Sequence, residues 1–305
     1  MSAKSPAPIR HLAVGWRLLR PPTLTASLTP VLVGAGLALQ AHPLRAGLFA
    51  AMLIASMLIQ AAANMVNEYY DFRRGLDNAE MVGIAGAIVR DAVAPGAVLG
   101  LALTALSIAL LLGVYICAAT SWWVAAAGLA SMAFIYFYSG GPHPISSTPF
   151  GEITAGALMG PVIILITYFI EAGSLTRTAA LASVPVGILI ACILLANNIR
   201  DIDHDRAGGR RTLPIVCGRA AAVRILAAAI AAAYLWLLAL MLAGAVTWWA
   251  ALTWLYAPVA WRAPGRFLRT AAPAELQRAF QGVSQTLIAF GFLQFAGLVI
   301  AAAGR

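Results

Sequence analysis

The chain has 305 residues, of which 62% are hydrophobic and only 10% are charged, and its mean hydropathy is +0.86. Soluble domains carry about 25% charged residues, so this composition excludes a water-soluble globular protein. A formal net charge of +9 can indicate nucleic-acid binding. In a membrane protein, basic residues instead collect in the cytoplasmic loops, and we take that to be the explanation here. Because strand-like alternation is lacking, we predict an all-α polytopic membrane helical bundle that binds lipid and no nucleic acid.

We expect one membrane domain over residues 1–305, with residues 1–20 as a cytoplasmic N-terminal segment. The first residues, MSAKSPAPIRHLAVGWRLLRPPTL, hold no short apolar core before a small-residue cleavage site, so no signal peptide is predicted. Cys117, Cys192 and Cys217 lie far apart, without CxxC or metal-type spacing, and we expect them to be free thiols.

Apolar stretches that approach the roughly 20 residues needed to span a bilayer recur along the chain. Nine are found, near residues 24–41, 47–69, 95–116, 121–138, 150–170, 178–199, 220–243, 245–261 and 282–303. The seventh and eighth are separated only by a short turn around Gly244. The longest polar connections follow the second, sixth and eighth stretches. The sequence therefore predicts nine transmembrane helices.

Basic residues divide unequally between the two faces of this predicted bundle. With nine spans, seventeen of the twenty Lys and Arg residues fall on the face that carries the N-terminus. The other face holds Arg45, Arg177 and Arg305. Because an excess of Lys and Arg marks cytoplasmic loops, we predict that the N-terminus and this face are cytoplasmic, in the inner membrane of a bacterium.

Ten of the eleven carboxylates lie on the same face, although the rule for basic residues does not require it. Two clusters stand out. The first motif, NMVNEYYDFRRGLD (residues 64–77), ends the second span, and the second motif, NNIRDIDHDRAGGRRTLP (residues 197–214), ends the sixth. Both spans reach this face in the same direction, so the two motifs can face each other across the bundle.

The spacing within each motif indicates shared chemistry. If the helices continue through them, Asn67 and Asp71 share one helix face, and so do Asn197, Asp201 and Asp205. Stacked carboxylates repel unless a cation offsets them, and Mg²⁺ takes oxygen ligands while leaving positions for substrate phosphates. Nearby arginines offer bidentate contacts to phosphate oxygens: Arg73, Arg74, Arg200, Arg210 and Arg211. The sequence thus predicts a site for a diphosphate with an apolar tail.

Three other interpretations of the charged motifs make different predictions. Charged helix ends are often only solvated flanks, but two matching motifs argue against that reading. A transporter would place its charges near the bilayer midplane and break its helices there, whereas these charges lie at one face. A phosphotransferase acting on nucleotide-activated lipid alcohols would carry a tighter run of aspartates with Gly and Arg on one helix, and no such run is found.

The two motifs resemble those of the UbiA-type membrane prenyltransferases, which join a polyprenyl diphosphate to an aromatic acceptor. The first looks like that family's N-x-x-x-D motif and the second like its D-x-x-x-D. Within the family they look most like the branch that prenylates 1,4-dihydroxy-2-naphthoate in menaquinone synthesis. RPPTLTASLTPVLVG (residues 20–34) and YFYSGGPHPISSTPFGEITAGALMGPV (residues 136–162) fit the same branch. The resemblance covers most of the chain and implies demethylmenaquinol as the product.

The resemblance also implies roles for individual residues. Asn67, Asp71 and Asp77 would hold one Mg²⁺, and Asp201 and Asp205 the other. Four of these would be catalytic: Asp71, Asp201, Asp205 and Asn67. Tyr69, Tyr70, Tyr136 and Tyr138 would shield an allylic carbocation with their ring faces. The expected substrate-binding residues are Arg20, Asn64, Tyr70, Arg74, Arg90, Tyr138, His143, Asn198, Arg210 and Arg211.

Two positions depart from the family pattern. Gly86 stands where the family usually carries a basic residue, and Arg90 would substitute for it from a turn away. His143 stands where the family often has Lys, and Ser146 and Ser147 follow where the family has Tyr-Gly. These departures affect residues expected to bind the diphosphate and the acceptor. Other acceptors therefore remain alternatives: 4-hydroxybenzoate, another phenol, or a haem or chlorin precursor.

Overall fold

The computed structural model describes residues 14–75, 86–140, 143–269 and 271–305, and over these ranges the chain is helical and contains no strand. Eight long helices follow one another in the order α1 Pro21–Ala38, α2 Ala46–Arg73, α3 Pro95–Ala119, α4 Trp123–Ser139, α5 Gly151–Ala172, α6 Arg177–Arg200, α7 Arg219–Leu242 and α8 Pro273–Ala303. The all-α bundle predicted from the sequence is confirmed.

Shorter elements connect the long helices. A helical segment over residues 14–19 precedes α1, and the other short pieces are Ala87–Arg90, Ile145–Ser147, Ile202–Ala207, Leu213–Cys217, Trp248–Tyr256, Ala257–Ala260 and Arg262–Arg269. Helix α5 contains a π-helical turn, Leu158–Val162, that includes Pro161. A proline inside a helix lacks the N–H that a regular turn uses, so the local hydrogen bonding changes there.

Six of the helices are long and apolar enough to cross a membrane, namely α2, α3, α5, α6, α7 and α8. Helices α1 and α4 coincide with the first and fourth predicted spans, but their apolar helical parts are shorter than those of the other six helices. The predicted count of nine transmembrane helices is therefore not confirmed, because within the described ranges only six meet the length and hydropathy expected of a span.

The eighth predicted span has a different geometry from the one its hydropathy suggests. Over residues 245–261 the chain forms a 3₁₀-helix, Trp248–Tyr256, followed by the short α-helix Ala257–Ala260. A 3₁₀-helix rises about 2.0 Å per residue and an α-helix about 1.5 Å. Thirteen residues in this combination extend about 24 Å, so the segment approaches the thickness of a hydrocarbon core of roughly 30 Å.

Contacts at the helix ends define two faces of the bundle. At one face Arg210, which follows α6, contacts Asp71 near the end of α2. At the opposite face Glu171 near the end of α5 accepts a hydrogen bond from the backbone N–H of Arg45, just before α2, and the Arg305 side chain contacts Gln40. The expectation that the second and sixth spans end at the same face is thus confirmed.

Helices α5 and α6 pack at unusually short range. A Cβ placed on Gly156 of α5 would lie 2.7 Å from the carbonyl oxygen of Gly187 on α6 and 2.9 Å from the Cβ of Ala191. Small residues let two helix backbones approach in this way. The close contact lies on the face of α5 that carries Glu152, one turn earlier, and it brings the start of α5 against the end of α6.

Candidate active site

A cavity of about 860 Å³ opens between helices α1 to α6. Polar side chains line the end of the cavity next to the two motifs, and they include Arg20, Asn64, Asn67, Tyr138, Asn198 and Arg210. Most of the remaining wall is apolar and comes largely from α3 and α4, with Ala109, Gly113, Ile116, Leu129 and Met132 among its residues. The cavity therefore suits a molecule with a charged head and a long hydrocarbon chain.

The first motif is helical as predicted. Helix α2 continues through Asn67 and Asp71 and ends at Arg73, so the two side chains lie one turn apart on one face. Asn67 lines the cavity, and its Oδ1 accepts a hydrogen bond from Arg20 at 3.1 Å. Asp71 is buried. Asp77 lies outside the described residues.

The second motif also keeps the predicted helical spacing. Helix α6 ends at Arg200 and Ile202–Ala207 follows, yet the backbone N–H of Asp201 still donates to Asn197 and that of Asp205 to Asp201. Asp205 is buried, whereas the Asp201 carboxylate faces its neighbour Arg200 at 2.6 Å. Asp205 is thus the carboxylate of this motif that faces the first motif.

Arg210 joins the two motifs. Its Nη2 lies 2.6 Å from Oδ1 of Asp71, and its Nη1 lies 3.1 Å from Oδ1 of Asp205. Arg210 also lines the cavity. The prediction that the two motifs face each other across the bundle is confirmed, with a guanidinium between their carboxylates.

Burial and neighbouring charges shift the pKa values of Asp205 and Arg210. Burial raises the pKa of the Asp205 carboxyl to about 6, and the nearby Arg210 opposes part of that rise. Burial alone would lower the pKa of Arg210, but Asp71 and Asp205 more than offset it, so the pKa is raised above its ordinary value. Arg210 therefore stays a cation that can bind an anion.

The carboxylates fit a divalent cation. Oδ2 of Asp205 is buried and has no hydrogen-bond partner within the described part of the chain. This free oxygen of Asp205, the Asp71 carboxylate on the other side of Arg210 and the Asn67 side-chain carbonyl are oxygen donors of the kind that Mg²⁺ accepts. Among the described residues no three His, Cys, Asp or Glu side chains form a metal-binding group by themselves.

Asn64 lines the cavity but its amide holds α1 against α2. Its Nδ2 donates to the carbonyl of Leu19 at 2.8 Å and to the hydroxyl of Thr23 at 2.9 Å, and its Oδ1 accepts from Gln60. These bonds fix the chain on both sides of Arg20, whose φ of 48° is left-handed. Asn64 therefore sets the place of Arg20 within the site.

Arg74 and the tyrosines form the rim next to α4. Nη1 of Arg74 donates to the carbonyl of Ser139 at 2.6 Å, and its guanidinium lies 5.7 Å from the ring centre of Tyr70. Tyr70 in turn packs edge-on against Tyr136 at 6.0 Å. Tyr138 lines the cavity directly. Of the expected tyrosines, Tyr138 is thus the one within the cavity wall.

Three expected substrate-binding residues on loops or short helices lie outside the cavity lining. His143 and Arg211 are exposed, and the backbone N–H of Arg211 donates to the carbonyl of Ser147. Arg90 is half-buried at the end of Ala87–Arg90. None of these three lines the cavity.

Gly86, where the sequence comparison expects a basic residue, belongs to a buried hydrogen-bond network around Glu68. The backbone of Gly86 has φ +99°, a conformation that glycine adopts without strain and other residues avoid. The fully buried Glu68 accepts hydrogen bonds from the N–H of Gly86 and of Ile88, and from Nη2 of Arg20 at 3.2 Å. Gly86 is thus joined to Arg20 through the buried Glu68 carboxylate.

Sequence reasoning assigned no role to Glu68 or Glu152, although both are buried at the site. Glu152 accepts a hydrogen bond from Nδ2 of Asn198 at 2.8 Å. Glu68 directly follows Asn67, and Glu152 stands at the start of an otherwise apolar span. Since buried carboxylates need partners, the presence of an acid within each of these two apolar stretches was the available signal.

A helical membrane bundle whose paired acidic motifs meet an arginine at the mouth of an apolar cavity defines an enzyme that handles a lipid with an anionic head. The chain belongs to the UbiA prenyltransferase family, whose sequence pattern matches residues 27–300. It is thus a membrane prenyltransferase, and the resemblance drawn from the two motifs is confirmed.

Individual relatives agree with this assignment. The chain is 48% identical over 285 residues to the 1,4-dihydroxy-2-naphthoate octaprenyltransferase of Bacillus subtilis (strain 168), covering 93% of this chain and 92% of that one. Its fold resembles a UbiA homolog from Aeropyrum pernix K1, at 17% identity and a TM-score of 0.67, covering 91% of this chain and 97% of that one. It also resembles a UbiA homolog from Archaeoglobus fulgidus bound to GPP and Mg²⁺, at 18% identity and a TM-score of 0.59, covering 93% and 99%.

Proposed function

We propose that the protein transfers a polyprenyl group from a polyprenyl diphosphate to 1,4-dihydroxy-2-naphthoate in a reaction that requires Mg²⁺. The products are demethylmenaquinol, diphosphate and the CO₂ formed from the carboxyl group of the naphthoate. The observation that carries the proposal is the single cavity that joins Arg20, Asn67 and Arg210 to a long apolar wall. The Bacillus relative, which is 48% identical to this chain over 285 residues, supports the naphthoate acceptor.

The proposed metal ligands are those implied by the two motifs, with Asn67, Asp71 and Asp77 for one ion and Asp201 and Asp205 for the other. When bound, Mg²⁺ neutralises the negative charge that grows on the departing diphosphate oxygens. The unsatisfied Oδ2 of Asp205 supports its part in this set.

The protein's own side chains orient the diphosphate and protect the reacting carbons. Arg210 and Arg20 line the polar end of the cavity and donate hydrogen bonds to phosphate oxygens, which favours the state in which the carbon–oxygen bond breaks. The apolar wall excludes water, which would otherwise capture the allylic cation before the ring carbon attacks. The Tyr138 ring at the polar end stabilises that cation through its face.

Purified protein tested with several acceptors checks the substrate assignment. Labelled polyprenyl diphosphate and Mg²⁺ are supplied with 1,4-dihydroxy-2-naphthoate, 4-hydroxybenzoate, a simple phenol, or a haem or chlorin precursor in turn. We expect product with the naphthoate at a catalytic efficiency well above that with the others. Product with another acceptor alone would contradict the assignment of the naphthoate and leave prenyl transfer standing.

The active-site face is proposed to be cytoplasmic, in the inner membrane of a bacterium. Seventeen of the twenty Lys and Arg residues belong to that face by the order of the spans, and such an excess marks the cytoplasmic side. The anionic naphthoate then reaches the site from the compartment in which such polar metabolites dissolve, and the polyprenyl diphosphate presents its charged head at the same face.

A further inference from the structure

Glu152 is a buried carboxylate with a single side-chain partner. Its side chain lies at the start of α5, with the residue only 3% exposed, and Oε1 accepts a hydrogen bond from Nδ2 of Asn198 at 2.8 Å. Its second oxygen, Oε2, is buried and finds no hydrogen-bond partner in the described part of the chain. Burying a carboxylate with so few partners is costly, and a neutral glutamine would bond Asn198 at lower cost.

The helix packing dictates this contact. On α5, Gly156 follows Glu152 by one turn, and on α6, Ala191 precedes Asn198 by two turns, so each pair lies on one helix face. Gly156 and Ala191 touch where the two backbones meet, with a Cβ on Gly156 only 2.9 Å from the Cβ of Ala191. Glu152 and Asn198 therefore meet at the cytoplasmic end of the same contact.

The contact determines which way the Asn198 amide points. A carboxylate only accepts hydrogen bonds, so the NH₂ group of Asn198 faces Glu152. The carbonyl oxygen on the other side of the amide is then available to the cavity, which Asn198 lines. Among the described residues the Asn198 side chain makes no other hydrogen bond.

The chemistry of that oxygen selects between the two substrates. A carbonyl oxygen backed by a carboxylate repels a diphosphate, which carries no hydrogen-bond donor when ionised. It attracts a hydroxyl group, which donates. Of the two substrates in the proposed reaction, the aromatic acceptor is the one with ring hydroxyls, so this corner of the cavity fits the acceptor.

We propose that Glu152 is a positioning residue that turns the carbonyl oxygen of Asn198 into the cavity, where it accepts a hydrogen bond from a hydroxyl group of the aromatic acceptor. This inference rests on the proposed function and deepens it. It divides the polar end into an anion-binding part around Arg210 and Arg20 and an acceptor-binding part at Asn198.

Glu152→Gln tests the inference, and Glu171→Gln is its matched control. Glu171 lies at the other end of the same helix, at the opposite face of the bundle. It is 5% exposed, and one of its carboxylate oxygens accepts a hydrogen bond while the other is unsatisfied within the described residues. Glutamine presents either end of its amide, so the Asn198 orientation is no longer unique. Since a hydrogen bond contributes about 1 kcal/mol, we expect a five- to tenfold rise in the acceptor KM for Glu152→Gln and an unchanged diphosphate KM.

A rescue experiment separates positioning from general damage. Asn198→Asp alone places two carboxylates together, and we expect it to impair acceptor binding more than Glu152→Gln does. Combined with Glu152→Gln, the aspartate accepts from the Gln NH₂ group and presents its other oxygen to the cavity. The acceptor KM of this double variant should return towards that of the wild type.

The readouts are the two KM values, kcat and the melting temperature in detergent. Equal changes in both KM values, a similar acceptor effect of Glu171→Gln, or failure of the double variant to recover would overturn the inference. An unchanged acceptor KM in Glu152→Gln would overturn it as well, while wild-type prenyl transfer keeps the proposed function intact. Wild-type protein that prenylates no aromatic acceptor overturns the proposed function and this inference with it.

Discussion

Arg210 is the side chain through which the two acidic motifs touch, since its guanidinium lies between Asp71 and Asp205. In the primary sequence it is one of several arginines near the motifs, and residue spacing alone does not separate it from Arg211. The structure separates them because Arg210 lines the cavity and Arg211 is exposed.

Replacing Arg210 should weaken the binding of the diphosphate more than that of the acceptor. Arg210→Met removes charge-assisted hydrogen bonding of about 1.5–3 kcal/mol, so the diphosphate KM should rise about 10- to 150-fold. Arg210→Lys keeps the positive charge but loses the two-pronged guanidinium contact, so its diphosphate KM should lie between those of the wild type and Arg210→Met. Steady-state kinetics with either substrate varied measures this.

Arg206→Met is the control for this change, because Arg206 lies on the adjoining short helix and is exposed. We expect its kinetics to match those of the wild type. A diphosphate KM that stays at the wild-type value in Arg210→Met would contradict the role given to this guanidinium.

At the scale of helices, the packing of α5 on α6 decides how far the start of α5 reaches into the site. Gly156 sits at a close contact between the two helices, with the carbonyl oxygen of Gly187 only 2.7 Å from where a Cβ would be. Gly156→Ala should force the helices apart and lower stability by about 1–3 kcal/mol, as overpacking does. A thermal melt in detergent detects the change.

Gly100→Ala is the corresponding control on α3, where a Cβ would meet nothing within 4 Å. We expect a melting temperature equal to or above that of the wild type, since alanine is the better helix former. If Gly156→Ala melts at the same temperature as Gly100→Ala, the α5–α6 contact is looser than the structure indicates.

Most helices follow from the apolar runs, because a span needs a long unbroken stretch without charge. The same reasoning does not foresee the 3₁₀ geometry of Trp248–Tyr256, since hydropathy reports composition and not rise per residue. It places Asn67, Asp71, Asp201 and Asp205 by helical spacing alone, and those spacings hold. Sequence spacing did not reveal the roles of Glu68 and Glu152, because their hydrogen-bond partners are distant in sequence. Glu68 accepts from the N–H groups of Gly86 and Ile88, and Glu152 accepts from the Asn198 amide.

For the whole molecule, the charge asymmetry predicts which way the bundle lies in the membrane. In a variant without the three native cysteines, Arg206→Cys reports the active-site face and Leu175→Cys the other, and both positions are exposed. In intact cells a membrane-impermeant maleimide should label Leu175→Cys only, and permeabilised cells should show both. Labelling of Arg206→Cys in intact cells would reverse the orientation.

The central claim is that prenyl transfer depends on Mg²⁺ held by the paired motifs. Purified protein is assayed with labelled polyprenyl diphosphate and 1,4-dihydroxy-2-naphthoate, with Mg²⁺ and then with excess chelator, alongside the double variant Asp71→Ala with Asp201→Ala. We expect a prenylated product from the wild type with Mg²⁺, and neither chelated protein nor the double variant should form it. Product formation that persists under chelation or in the double variant would contradict the claim.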